Sequence, residues 1–162
     1  MLIPQTALNF DKKFAKKLRI AIVRTTYHDS LVDNLEAYAR GTLNAAGVTE
    51  KNVQTFRAPG TWEIPILLQS IAEAKKLKFD GIIAFGVIVK GETFHFELIA
   101  NEVTSALMQL SIDNHIPVAF EILAVSDIKH AQARAGQNDY NKGIEAANAL
   151  LQILLTLRQI PK

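Results

Sequence analysis

A chain of 162 residues with 49% hydrophobic and 21% charged residues has enough apolar side chains for one full core and too many for disorder. The net charge of +2 marks no polyanionic partner: Lys12, Lys13, Lys16, Lys17 and Arg19 cluster near the start without interleaved aromatics, so no nucleic acid is expected. The absence of cysteine removes disulfides, thiolate metal sites and cysteine nucleophiles.

Residues 1 to 17 read as an N-terminal arm of low regularity, and residues 18 to 162 as a single domain. The opening MLIPQTALNFDKKFAKKL lacks the charged-then-apolar design of a secretion signal, and no apolar run reaches the length of a membrane span. A cytoplasmic protein without membrane contact is the expectation.

RIAIV (19–23) is the first of four short runs rich in Val, Ile and Phe that fit strands buried on both faces. TTYHDS (25–30) follows, placing Tyr27 and His28 at a strand end, where an aromatic ring can stack on a flat heterocycle. Ser30-Leu31-Val32-Asp33 reads as a capping box. Leu31, Leu35, Tyr38, Thr42 and Ala46 then recur every three or four residues, predicting a helix that Gly47 stops. The second strand, VQTFRA (53–58), leads into APGTWEIP (58–65), where prolines on either side of Gly60 fix a rigid turn. Glu63 in that turn fits a favourable acid in a first helical turn as well as a carboxylate held to bind hydroxyls or a ring N–H.

Leu67, Ile71, Ala74 and Leu77 predict the second helix, and GIIAFGVIV (81–89) the third strand. Beyond it, Gly91 permits close backbone approach to a ligand, and Glu92-Thr93 lead towards a helix starting near Phe96. Exposed N–H groups there, with the Thr93 hydroxyl, would make an anion site. His95, beside it, can exchange protons near neutral pH. A lone histidine is more often structural, but this position argues for chemistry. Lys90 adds positive charge there and has no further role legible in the sequence.

Ile99, Val103, Ala106, Leu107 and Leu110 predict a third helix that Asn114 ends, and PVAFEILAV (117–125) the fourth strand. Helical material should fill residues 127 to 158. Within it Arg134, before Ala135-Gly136, could fork onto a phosphate or lie on a solvated helix face. Asn141 is a good N-cap ahead of Lys142 and Gly143. From Gly143 to Leu157 apolar residues surround much of the helix, which points to self-association. His115 and His130 read as surface residues. No two histidines have helical metal-ligand spacing, so no metal is expected.

The alternation β-α-β-α-β-α-β predicts an α/β three-layer sandwich with a four-stranded parallel sheet, its ligands bound beyond the carboxyl ends of the strands. On residues alone, this is an oligomeric protein binding a small anionic ligand, with one histidine poised for proton transfer.

Three segments carry a resemblance as well. APGTWEIP, GVIVKGETFHFELIANEV and RAGQNDYNKGIEAA, in this order and spacing, resemble the signature segments of the lumazine synthase (6,7-dimethyl-8-ribityllumazine synthase) family. The resemblance runs from about Arg19 to Leu157. It implies a flavodoxin-like sheet and homo-oligomers, either pentamers or sixty-subunit shells, with active sites between neighbouring subunits. The reaction implied condenses 5-amino-6-(D-ribitylamino)uracil with 3,4-dihydroxy-2-butanone 4-phosphate, releasing phosphate and water, in riboflavin biosynthesis and without cofactor.

The resemblance implies roles position by position. His95 transfers protons, and Gly91, Glu92 and Thr93 hold the butanone phosphate with Arg134. Tyr27 stacks on the pyrimidine, beside which Val87, Ile88 and Val89 run. Thr61, Trp62 and Glu63 grip the ribityl chain, and Phe120 and Lys142 come from the adjacent subunit. Thr61 stands where the family usually has alanine, Lys90 where arginine is common, and Tyr27 adds a hydroxyl. Gln137-Asn138-Asp139-Tyr140 replaces a small turn typical of shell-forming members, which favours a free pentamer. A non-catalytic lumazine- or flavin-binding scaffold is the alternative, against which the retained phosphate-site residues argue.

Overall fold

In the computed structural model, which describes residues 10–161, four strands form one parallel sheet in the order β2-β1-β3-β4. They are β1 (Ile20–Thr25), β2 (Val53–Ala58), β3 (Gly81–Val89) and β4 (Val118–Val125). Six helices accompany them among the described residues: α1 (Lys12–Ala15), α2 (Asp29–Ala46), α3 (Ile64–Ala72), α4 (His95–Asp113), α5 (Ile128–Ala135) and α6 (Lys142–Gln159). Each long crossover carries a helix, the connection a parallel pair requires.

Side chains alternate across the pleat, so each strand feeds two cores. Ile20, Ile22, Ile83 and Phe85 pack towards α2 and α6, while Ala21, Val23, Ile82 and Ala84 pack towards α3 and α4. The chain moves outward from β1 to β2, then crosses back to β3 and β4. That reversal opens a crevice between the carboxyl ends of β1 and β3.

Where the structure departs from expectation, the causes are local. β1 is buried throughout and β3 over its first seven residues, but β2 and β4 mix buried, half-buried and exposed positions. They are the edges of the sheet, where neighbouring elements cover both faces incompletely. The second helix ends at Ala72, short of Ala74 and Leu77, and the chain reaches β3 through a loop. Residues 127–158 form two helices, because Asn141 turns the chain and its side chain accepts the Gly143 N–H (2.8 Å) at the start of α6. The expected capping box at Ser30 is replaced by a start at Asp29 with His28 as N-cap in left-handed backbone (φ 55°). Asp33 is drawn instead to the buried guanidinium of Arg24.

Residues 10–17 fall in the segment read as an irregular arm, yet Asp11 caps α1 and Phe10 and Ala15 are buried in the core. The rest of that segment lies outside the described residues. Gly47 closes α2 with φ 106°, as its position predicts, and a side chain there would also press on Lys12. α6 buries one face from Gly143 to Leu154 and leaves Ile153 and Leu157 exposed, as is Ile160 just beyond its end. On the other side of the sheet, Met108, Ile112 and Phe120 are exposed too. Among the described residues no helix is long and apolar enough to cross a membrane.

Candidate active site

Three strand ends converge on one cleft. At the end of β1, Arg24 is fully buried and bonds the carboxylates of Asp29 and Asp33 on the first turns of α2, with Glu36 at 3.4 Å. Burial opposes its charge, but Asp33, Asp29 and Glu36 outweigh that and hold the guanidinium above its ordinary pKa. Glu36 is likewise half-buried at a cost to its charge, which the Thr55 hydroxyl (2.5 Å) and Arg40 (2.8 Å) reverse, so it titrates below its usual range. This network locks the turn from Thr25 to Asp29, in which the Thr25 hydroxyl donates to the Tyr27 carbonyl at 3.1 Å.

At the end of β2, the Thr26 amide donates to the Ala58 carbonyl (2.9 Å) and its hydroxyl to that of Pro59 (3.2 Å), joining two loops. Thr61–Glu63 then form a 3₁₀ turn into α3, with Pro65 in its first turn, where proline needs no donor. The Gly60 amide donates to Glu63 Oε2 at 3.0 Å, and the Glu63 carboxylate makes no other hydrogen bond among the described residues. Thr61 is buried beneath this turn, and its hydroxyl lies 3.2 Å from where a Cβ on Gly86 would stand.

At the end of β3, the Lys90 amide donates to the Val125 carbonyl at 2.9 Å. Its ammonium reaches Glu97 Oε1 at 2.7 Å, closing the Gly91–Phe94 loop against the first turn of α4. That bond, more than any other influence, keeps Glu97 below the ordinary carboxylate range. The pairing supplies what the sequence left open for Lys90. α4 begins at His95, one residue before the expected start, so the imidazole stands at the helix entrance.

The cleft between these ends measures about 650 Å³ and is lined by Tyr27, His28, Gly60, Thr61, Trp62, Glu63, Val87, Ile88, Val89, His95, Ile99 and Ile128. Nine of the candidates singled out in the sequence, His28 among them, therefore share one space. Tyr27 and Trp62 line it and are exposed overall, at 67% and 58%, which leaves flat ring surface open for stacking. Ile99 and Ile128 were missed, although Ile99 follows His95 by one helical turn and shares its face.

The remaining candidates lie elsewhere. Gly91, Glu92 and Thr93 are exposed on the loop beside His95 without lining the cleft. Arg134 donates to the His130 carbonyl at 3.0 Å, and Lys142 bonds Glu145. Phe120 projects from β4 against Met108 and Ser111 of α4, on the other side of the sheet from Arg134 and Lys142. Beneath Arg134 and Lys142 lies Glu121, a charge set inside an otherwise apolar strand. Burial pushes its carboxyl up to about 7; Lys142 and Arg134 pull it back, while Glu145 adds to the rise.

Unfolded, that carboxyl titrates near 4.5. The folded chain therefore holds the proton more tightly, and this group's contribution to stability falls as pH rises from about 4.5 to about 7. Glu121→Gln should remove that slope. In thermal melts its advantage over the parent should grow between pH 5 and pH 8, and a constant difference would count against the burial argument.

A family model described as 6,7-dimethyl-8-ribityllumazine synthase matches residues 17–158. Proteins named 6,7-dimethyl-8-ribityllumazine synthase match over most of their length. The one from Nitratidesulfovibrio vulgaris (strain Miyazaki F) is 38% identical over 146 residues, covering 90% of this chain and 92% of the relative. That of Leuconostoc mesenteroides is 34% identical over 142 residues, covering 88% and 90%. That of Polaromonas sp. (strain JS666) is 38% identical over 143 residues, covering 86% and 92%.

Proposed function

The chain belongs to the 6,7-dimethyl-8-ribityllumazine synthase family, and from that premise we propose how its cleft carries out the condensation. The enzyme joins 5-amino-6-(D-ribitylamino)uracil to 3,4-dihydroxy-2-butanone 4-phosphate and releases 6,7-dimethyl-8-ribityllumazine, phosphate and water. The observation that carries the site reading is the single cleft in which Tyr27, Thr61 to Glu63, Val87 to Val89 and His95 meet.

In this reading the pyrimidine stacks on Tyr27 and runs beside the backbone of Val87, Ile88 and Val89, while Glu63 accepts from the ribityl hydroxyls. The butanone phosphate sits over Gly91, Glu92 and Thr93. The 5-amino nitrogen attacks the ketone carbon, and loss of water gives an imine. His95 shuttles protons as the phosphate leaves with the electron pair of its C–O bond. The ribitylamino nitrogen then closes the ring, and water departs.

Positive charge must meet the leaving phosphate, and it works best when fixed in advance. In this chain Arg134 and Lys142 stand away from the cleft, beside Glu121. We assign Phe120, Arg134 and Lys142 to the cleft of an adjacent copy, so that a homo-oligomer is the working enzyme. The exposed Met108, Ile112 and Phe120 supply apolar surface for such contact. A free cytoplasmic pentamer is favoured over a sixty-subunit shell, because the bulk of Tyr140 stands in the loop between α5 and α6.

Mixing the protein with both substrates should produce lumazine absorbance and phosphate in equal amounts. No product above the uncatalysed rate would replace the enzyme reading with that of a lumazine-binding scaffold. Sedimentation at micromolar concentration should give a pentamer, and a particle of megadalton size would reject that assembly.

A further inference from the structure

Two imidazoles face the cleft, and only His95 has been given a task. His28 adopts φ 55° and ψ 41°, left-handed backbone that a residue with a side chain enters at a conformational cost. Helix capping does not account for it. An N-cap normally keeps extended backbone and bonds an early helical amide through a short polar side chain. His28 has neither property, for its side chain makes no cap hydrogen bond.

The chain holds this conformation from both sides. Before it, the Tyr27 carbonyl accepts from Thr25. After it, the Asp29 carboxylate is bonded to the buried Arg24, whose guanidinium also donates to the Asp29 carbonyl at 3.4 Å. A fully buried cation thus fixes the residue next to a strained one. The outcome is an imidazole set in the cleft wall, its ring 4.5 Å from that of Tyr27 and inclined at 66°. Neither of its nitrogens bonds another described residue. Apart from Thr61, Glu63 and His95, the remaining side chains of the cleft wall are apolar or aromatic.

We propose that His28 is a second functional imidazole, hydrogen-bonding the polar edge of the heterocycle that stacks on Tyr27, with Arg24 as its positioning residue. This rests on the pyrimidine placement proposed above. A uracil edge presents carbonyl and N–H groups side by side, and a neutral imidazole offers one acceptor and one donor. The imidazole also lies against the Tyr27 ring at a steep inclination, within reach of a heterocycle stacked on that ring.

The test uses His28→Gly and His28→Asn in the full chain. Two probes are titrated: 6,7-dimethyl-8-ribityllumazine, followed by its fluorescence, and inorganic phosphate. Glycine adopts the left-handed backbone without strain, so the fold survives while the imidazole is lost. Asparagine tolerates the same backbone and keeps a donor and an acceptor. His28→Gly should weaken lumazine binding about tenfold, the scale of lost hydrogen bonds, and leave phosphate affinity unchanged. His28→Asn should recover most of the loss.

Lumazine affinity within twofold of the parent in His28→Gly would overturn the proposal. So would a parallel loss for both probes, or an asparagine variant no better than glycine. A parent chain that binds lumazine but makes none leaves the His28 comparison decisive while rejecting the enzyme reading. A parent that binds no lumazine overturns both.

Discussion

Gly143→Ala should destabilise the fold by about 3 kcal/mol or more, at the upper end of overpacking costs. α6 enters the molecule at this residue and passes directly across α2. A Cβ there would stand 2.0 Å from the Leu35 carbonyl oxygen, inside any real contact distance, and 2.9 Å from the Asn141 side-chain oxygen. The first obstacle is backbone in a long helix, which cannot rotate aside as a side chain can. The second is the group that caps α6 by accepting the Gly143 N–H. Relief would require the two helices to separate by more than an ångström, opening the core shared by Leu35, Ala39, Ala147 and Leu151. Gly41→Ala is the natural control. That residue is exposed in α2 with nothing within 4 Å of a new Cβ. Alanine should stabilise the helix there by roughly 0.5–1 kcal/mol. Chemical denaturation of both variants reads the contrast, and a Gly143→Ala midpoint close to the parent's would contradict the packing described.

His95→Ala should lower kcat by about a hundredfold, the lower range for removing a general acid–base group. It should not abolish turnover. Imine formation proceeds readily once amine and ketone are aligned, and holding two substrates together supplies a large share of the acceleration. The imidazole is exposed at the start of α4 and makes no hydrogen bond to other described residues, so the thermal midpoint should stay where it is. KM for each substrate should change little, because the stacking, polyol and phosphate contacts proposed above lie on other residues. Steady-state kinetics with each substrate varied in turn would separate these effects. An unchanged kcat would remove His95 from proton transfer, and complete loss with an intact fold would show that chemistry rather than alignment dominates.

The legible parts of this chain were those set by short-range patterns. GIIAFGVIV has the length and branched apolar composition of a buried strand, and the strand-helix alternation left a parallel sheet as its simplest outcome. The cleft residues were legible for a related reason: a parallel sheet carries all its strand ends to one side. Hence Tyr27, Glu63, Val87 to Val89 and His95 meet although 68 residues separate the first from the last. What escaped were pairings that depend on three-dimensional neighbours. Ser30 and Asp33 fit a capping pattern, yet a buried cation on the adjoining strand claimed Asp33 first. The spacing of Asp29, Asp33 and Glu36 along one helix face, behind an arginine that ends an apolar run, was the available sign. The half-open faces of β2 and β4 were invisible for another reason. Strand composition reports apolar character, whereas the order of strands decides which of them become edges.

In the binding mode proposed above, Glu63 would have a consequence for stereochemistry. One of its oxygens is bound to the Gly60 amide only three residues away, which restrains the carboxylate from swinging to follow a ligand. That leaves Oε1 as the oxygen without a protein donor, in a restrained direction. A flexible acid could satisfy any polyol of the right length, but a tethered one rewards only the epimer whose hydroxyl meets that oxygen. Discrimination between ribityl and its diastereomers would then arise from a backbone hydrogen bond that never touches the sugar chain.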